Sequence, residues 1–280
     1  MRNVSRDSSN YDFLYQDGAV VREGIIDPFP PPKEDFDSCY VFAFHKSGSV
    51  LINSITSALM NAHAVPVIDL PNYFFELGIE IKSVLLNCDR LFRPRGYCYL
   101  GFRQFFPCLQ GALSERLRSA QKILLVRDPR DMLVSLYYSV KYSHFYPTKG
   151  TPHFHREVIA QKKTTDFTVD DFCIRWSGSY VDRLSEYDEL IDDKCLVIKY
   201  EDIIYNKVQL AQSICGHFHL DISPQTLESL IVTYNEIPRH DRPQHHIRQA
   251  HPGDHIRKLQ PKTIVTLNEI LKGFLDRFGY

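Results

Sequence analysis

From residue 39 onward the apolar positions alternate between two rhythms. Tyr40-Val41-Phe42-Ala43-Phe44 is an unbroken apolar run of strand length, and Leu51, Ile52, Ile55, Leu59 and Ala62 then recur at helical spacing. Val65 to Leu70 and Cys98 to Phe102 are further predicted strands, the first carrying a proline at Pro66. Ala112 to Ser119 reads as a short helix. Lys122-Ile123-Leu124-Leu125-Val126 has the character of a strand buried on both faces of a parallel sheet. Helical character returns over Asp131 to Tyr142. Cys195 to Tyr200 is another buried strand, followed by a helix over about 205 to 218. Pro261 opens a terminal helix in which Ile264, Leu267, Ile270, Leu271 and Leu275 keep one face apolar. Strands alternating with helices predict an α/β fold, a doubly wound parallel sheet flanked by helices.

The first 38 residues are more polar, and Asp27-Pro28-Phe29-Pro30-Pro31-Pro32 favours an extended conformation. Residues 1–38 are therefore expected to form an arm on a single domain spanning 39–280. The chain has 280 residues, an ordinary globular composition and a net charge of −1, which gives no global field toward nucleic acid or anionic membrane. Its apolar runs fall short of the roughly 20 residues needed to span a bilayer, and the N-terminus lacks the apolar core of a secretory signal. Seven cysteines without CxxC spacing read as buried reduced thiols. Together these features predict a cytoplasmic protein without a membrane span.

Candidate chemistry begins at His45-Lys46-Ser47-Gly48-Ser49-Val50-Leu51, between the first apolar strand and the helix that follows. A short loop there directs helix N-terminal amides at an anion, although a plain strand-to-helix turn needs no ligand. The loop lacks the GxxxxGK[ST] spacing of nucleoside-triphosphate enzymes, because Lys46 precedes the small residues. A second element is Val126-Arg127-Asp128-Pro129-Arg130-Asp131, with Ser135 two turns into the next helix. Asp128 and Pro129 suit the start of a helix. A strand-end arginine can fork onto a phosphate dianion, and a serine hydroxyl can add a donor.

The two elements together resemble the sulfotransferases that use 3′-phosphoadenosine 5′-phosphosulfate (PAPS), whose patterns are Pro-Lys-Ser-Gly-Thr-Thr-Trp and Arg-Asn-Pro-Lys-Asp followed by Ser-Tyr-Tyr. Tyr200-Glu201-Asp202, the Trp176 to Tyr180 stretch, and Arg248 with Pro252-Gly253-Asp254 resemble later family segments, the last of them Arg-Lys-Gly…Gly-Asp-Trp. The resemblance runs from about residue 39 to the C-terminus and implies a PAPS-dependent transferase that needs no metal. It places Lys46 at the bridging oxygen and leaving phosphate, with Arg103 on the sulfuryl oxygens. The amides of Gly48 to Val50 and the hydroxyls of Ser47 and Ser49 would hold the 5′-phosphate. Arg127, Ser135 and Arg248 would hold the 3′-phosphate, and Tyr200 would flank the nucleotide.

The departures matter too. Leu51 replaces a stacking tryptophan, and Gln249-Ala250 replaces Lys-Gly. Phe105 occupies the position of the histidine that serves cytosolic members as base, and it accepts no proton. An alcohol acceptor still needs a proton acceptor. Asp69 best matches the carboxylate used by other branches, with Glu76 and His144 as reserves.

The acceptor is left open by the sequence as a small molecule, lipid or glycan, and no nucleic-acid partner is expected. Tyr73, Phe74, Phe75, Phe105, Phe106 and Tyr146 suit either an apolar acceptor pocket or the core. The twelve histidines include close pairs, but none completes a zinc ligand set. Two other functional classes remain open, an ATP-dependent small-molecule kinase and a nucleotide-binding protein without catalysis.

Overall fold

The computed structural model describes residues 14–16, 19–21, 30–72, 84–85, 92–103, 112–143, 167–234, 237–238 and 250–280. Near the N-terminus, β1 (Leu14–Gln16) and β2 (Ala19–Val21) pair antiparallel. β3 (Lys33–Asp37) is followed by β4 (Cys39–Ala43), α1 (Ser49–Ala62) and the short β5 (Val67–Ile68). β6 (Val84–Leu85) joins β2, and β7 (Arg95–Gly96) pairs with β3. After β8 (Cys98–Phe102) come α2 (Ala112–Ser119), β9 (Lys122–Val126), α3 (Pro129–Tyr138), α4 (Val169–Asp188) and β10 (Cys195–Lys199). The chain ends in helices α5 (Tyr200–Ile203), α6 (Lys207–Phe218), α7 (Pro224–Ile231), α8 (Asp254–Lys258), α9 (Pro261–Ile270) and α10 (Lys272–Phe278).

The central sheet has strand order β10-β9-β4-β8-β5, and every pairing in it is parallel. Side chains on a strand alternate between faces, which explains the unbroken apolar runs. Tyr40, Phe42, Tyr99, Leu124 and Val126 point into one buried cluster with Met132, Leu133, Tyr180, Tyr187 and Phe274 from α3, α4 and α10. Val41, Ala43, Cys98, Leu100, Ile123 and Leu125 point the other way, against Ile52, Ile55 and Leu59 of α1 and Leu210 and Ile214 of α6. Helices on both faces give the doubly wound layout that the alternation predicts.

Several boundaries differ from the sequence reading. β4 begins and ends one residue earlier than Tyr40 to Phe44, because Phe44 enters the loop. The strand expected over Val65 to Leu70 is reduced to Val67–Ile68. Pro66 has no N–H to donate there, and the Asp69 side chain accepts from the Asn72 amide at 3.0 Å to start a helical turn. Tyr200 opens α5 instead of ending a strand, with Glu201 and Asp202 placed in its first turn, where the helix dipole favours acids. The helix expected over about 205 to 218 begins instead at Lys207, capped by Asn206, whose side chain accepts from the Gln209 amide. The helix read over Asp131 to Tyr142 starts at Pro129 behind the Asp128 cap, and from Ser139 to Ser143 it widens into a π turn. Apolar periodicity alone does not separate these two windings. The terminal apolar stripe is divided at Leu271 into α9 and α10. Part of the expected N-terminal arm, β3, is paired with β7, and the Tyr97 hydroxyl donates to the Pro30 carbonyl at 2.9 Å. Among the described cysteines, 39, 98, 173, 195 and 215 are free thiols, and all but Cys195 are buried.

At the edge of the sheet away from the strand C-termini, Lys122 is completely buried. Its ammonium donates to the carbonyls of Leu117 and Ala120 at 2.7 and 3.3 Å and pairs with Asp192 at 2.8 Å. A buried charge is tolerable only when its donors are matched. Asp192→Ala is expected to lower unfolding free energy by about 2–4 kcal/mol, measured as a lower urea midpoint at constant m-value. A loss below about 0.5 kcal/mol would mean that the two carbonyls hold Lys122 without the ion pair.

Candidate active site

The five parallel strands end on one edge, and β4 lies between the later-formed β9 and β8, so the chain reverses direction across the sheet there. Such a switch point opens a crevice at the strand C-termini. The loop after β4, residues 44–48, leads straight into α1. Lys46 holds a left-handed φ of 69°, and Gly48, the residue preceding α1, has φ 103°. No side chain caps α1, leaving its first-turn amides to face the loop. Ser47 is fully buried, and its hydroxyl donates to the Phe44 carbonyl at 2.7 Å. That hydroxyl closes the loop on itself. Ser49 faces the crevice side, where its Oγ accepts from Arg103 Nε at 3.0 Å.

α4 fixes the position of this loop. The Tyr180 hydroxyl donates to the His45 carbonyl at 2.8 Å, and the Tyr187 hydroxyl reaches the Ala43 carbonyl at 3.4 Å. These two tyrosines are seven residues apart and share one helix face. Tyr180 lies in the stretch that carries the family resemblance, whereas Tyr187 had no motif to mark it.

Arg127 stands at the end of β9, beside β4. It is only 6% exposed, and its guanidinium stacks on the Tyr200 ring at 4.3 Å from the centroid. Burial lowers its pKa, but Tyr200, Asp131, Glu201 and Asp254 more than offset that, so the net shift is upward. Its Nε has no hydrogen-bond partner among the described residues. A buried donor without a partner is costly unless a ligand meets it. Tyr200 touches the other loop as well. A Cβ added at Gly48 would meet the Tyr200 ring at 2.8 Å, so only glycine admits the ring there. The Tyr200 hydroxyl donates to the buried Ala250 carbonyl at 2.7 Å, and burial pushes its pKa up to about 12. Ser135 lies two turns along α3, half-buried.

On the other side of β4, Arg103 ends β8 beside Ser49. Close surroundings lower the pKa of its guanidinium, while Asp69 and Tyr187 act in the opposite direction. Asp69 follows β5, and its carboxylate rests against Gly101, where a Cβ would fall 2.1 Å from Oδ1. Gly101 has φ +90° and leaves space for it. The fold thus brings Lys46, Ser49, Arg103, Arg127, Tyr200 and Asp69 to one edge of the sheet. Glu76, Phe105, His144 and Arg248 lie outside the described residues, as do Tyr73, Phe74, Phe75, Phe106 and Tyr146.

Two residues with no role assigned from sequence also belong here. Asp131, in the first turn of α3, accepts from the amides of Gly253 and His255 at 2.7 and 2.9 Å and from His255 Nδ1 at 2.7 Å. The Asp128 amide donates to Glu201 at 3.1 Å, and the other oxygen of Glu201 accepts from the Tyr280 hydroxyl at 2.9 Å. The backbone around Arg127 is thereby tied to the end of the chain.

Among the described residues, no helix is long and apolar enough to cross a membrane. No curated protein matches the chain. Among solved structures, mouse sulfotransferase SULT7A1 complexed with PAP is 13% identical, with 94% of this chain and 95% of that one covered at a TM-score of 0.58. A retinol dehydratase in complex with androsterone and inactive cofactor PAP is 12% identical, with 95% and 90% covered at a TM-score of 0.50. At such identities these likenesses speak for the fold. The family model described as the sulfotransferase domain matches residues 109–272, more than half of the chain and including Arg127, Ser135 and Tyr200. The chain belongs to the sulfotransferase family.

Proposed function

We propose that this domain, residues 39–280, transfers the sulfuryl group of PAPS to a hydroxyl or amine and releases adenosine 3′,5′-bisphosphate, and that it does so in the cytoplasm. The observation that carries the reading is Arg127, a buried guanidinium with an unmatched Nε on the strand next to the one that feeds the Lys46 loop. Adjacent parallel strands lie about 4.8 Å apart, so two anion sites on neighbouring strand ends suit a donor with phosphates at both ends of its ribose. ATP lacks the 3′-phosphate that would give Arg127 its partner.

In this reading the amides of Gly48 to Val50 and the Ser49 hydroxyl hold the 5′-phosphate, Ser47 shapes the loop, and Arg127, Ser135 and Arg248 hold the 3′-phosphate. Lys46 neutralises the charge that develops on the bridging oxygen as the S–O bond to phosphate breaks. Arg103, already bonded to Ser49, faces the sulfuryl oxygens. Asp69 takes the acceptor proton as the new O–S bond forms. Its proximity to Arg103 supports this role, and Glu76 and His144 are the alternatives. A small apolar acceptor fits the aromatic residues near the site in sequence, and the retinol dehydratase with the same fold holds androsterone.

Lys46→Ala is expected to reduce sulfuryl transfer from labelled PAPS at least ~100-fold while preserving the melting temperature of the apoprotein. Turnover at the wild-type rate would sink the assignment. Asp69→Asn should lower the maximal rate about 10²-fold or more with a much smaller change in donor affinity, and an unaffected rate moves the base to Glu76 or His144. In a thermal-shift comparison, adenosine 3′,5′-bisphosphate should protect the protein well above ATP at equal concentration. Equal protection would favour a kinase, and binding without transfer to any acceptor would leave a nucleotide-binding protein.

A further inference from the structure

Asp131 follows Arg127 by four residues and has a side chain with no exposure, a placement in which arginine and carboxylate commonly close a short, two-pronged ion pair. They do not close it. The nearest approach is a single contact of 3.5 Å, from Arg127 Nη2 to Asp131 Oδ2, against the 2.7–2.9 Å typical of charge-assisted bonds. The carboxylate is occupied instead by the segment that opens α8. Oδ2 accepts from the Gly253 amide at 2.7 Å, and Oδ1 accepts from the His255 amide at 2.9 Å and from His255 Nδ1 at 2.7 Å.

Burial alone would raise the Asp131 pKa, but the bonds from His255 and the charge of Arg127 bring it down to about 2. The group is therefore ionised at neutral pH. An ionised carboxylate only accepts, so Nδ1 of His255 carries the proton of that bond. His255 is 4% exposed, which leaves little water to take its place. Arg130, another cation near Asp131, is occupied by Asp128, to which it donates at 2.9 and 2.7 Å.

We propose that His255 is a positioning residue for the donor site: its bond to Asp131 holds that carboxylate back from Arg127 and keeps the guanidinium available to a phosphate dianion. The inference rests on the reading of Arg127 as a 3′-phosphate ligand. Without the Nδ1 donor, Oδ1 loses one of its two bonds in a nearly dry environment. Among the described residues the strongest donor left beside the carboxylate is Arg127, already 3.5 Å from Oδ2. A carboxylate drawn onto that fork would have to be displaced by the incoming phosphate, so affinity would fall for ligands with a 3′-phosphate and stay nearly constant for ligands without one.

The test compares calorimetric affinities for adenosine 3′,5′-bisphosphate and adenosine 5′-monophosphate. His255→Phe fills the ring's volume and removes the donor. It is expected to lose about tenfold in affinity for the bisphosphate, the size of one charge-assisted hydrogen bond, with the monophosphate little changed. Asp131→Asn removes the competing charge, so its ratio of the two affinities should stay at or above wild type, and adding His255→Phe to it should no longer lower the ratio. An unchanged ratio in His255→Phe, a parallel loss of both ligands, or a lowered ratio in Asp131→Asn would overturn the proposal. If His255→Phe fails to fold, the Asp131→Asn ratio still decides. Wild-type protein that does not distinguish the two nucleotides would instead refute the reading of Arg127 itself.

Discussion

The ring of Tyr200 is the contact on which the geometry of the site depends. One face of the arrangement is the bare Gly48, which turns the loop after β4 into α1 and has no side chain to push the ring away. The Arg127 guanidinium lies over the same ring, and the phenol reaches the segment at Ala250. Three stretches of chain far apart in sequence thus share one side chain. Stacking of a cation on a ring contributes on the order of 0.5–2 kcal/mol, and the hydroxyl must find a partner once buried. Both requirements are met by a residue whose backbone is fixed at the junction of β10 and α5.

Around that contact the electrostatics are graded. Arg127 is surrounded by Asp131, Glu201 and Asp254, all of which favour its charged form, yet two of these carboxylates have strong bonds elsewhere. Glu201 is held by the Asp128 amide and the Tyr280 hydroxyl, and Asp131 by the start of α8. The cation is compensated mainly through space, with one long contact of 3.5 Å to Asp131. Across β4, Arg103 sits differently, bonded to Ser49 and close to Asp69. One arginine is buried with an unmatched Nε among the described residues, while the other is joined to the loop through Ser49.

Much of this arrangement was legible in the sequence. Runs such as Tyr40 to Phe44 and Lys122 to Val126 identify strands covered on both sides, because every residue in them must be apolar or matched. Lys46, Gly48 and Arg127 stand out as candidates because a short loop and a cation at neighbouring strand ends are what an anion site would need. Other features were hidden for identifiable reasons. The shortening of β5 depends on Pro66 and on the hydrogen bond from Asn72 to Asp69, both weaker signals than the apolar pattern. Gly101 is unremarkable until Asp69 is seen against it, since which side chains meet across neighbouring strands is not encoded locally. Asp131 read as an ordinary first-turn acid, and its partners lie 122 and 124 residues away.

The two tyrosines of α4 that reach carbonyls at the end of β4 and in the loop after it imply a tolerance on chain length. A helix turns by 100° per residue, so Tyr180 and Tyr187 face the same way only because the residues between them make nearly two whole turns. Adding or deleting one residue in that interval would swing one hydroxyl a quarter-turn off the sheet and release one of the two anchors of the loop. α4 therefore works as a ruler. Substitutions on its outer face leave the measure unchanged, and any change in the count of residues between the marks does not.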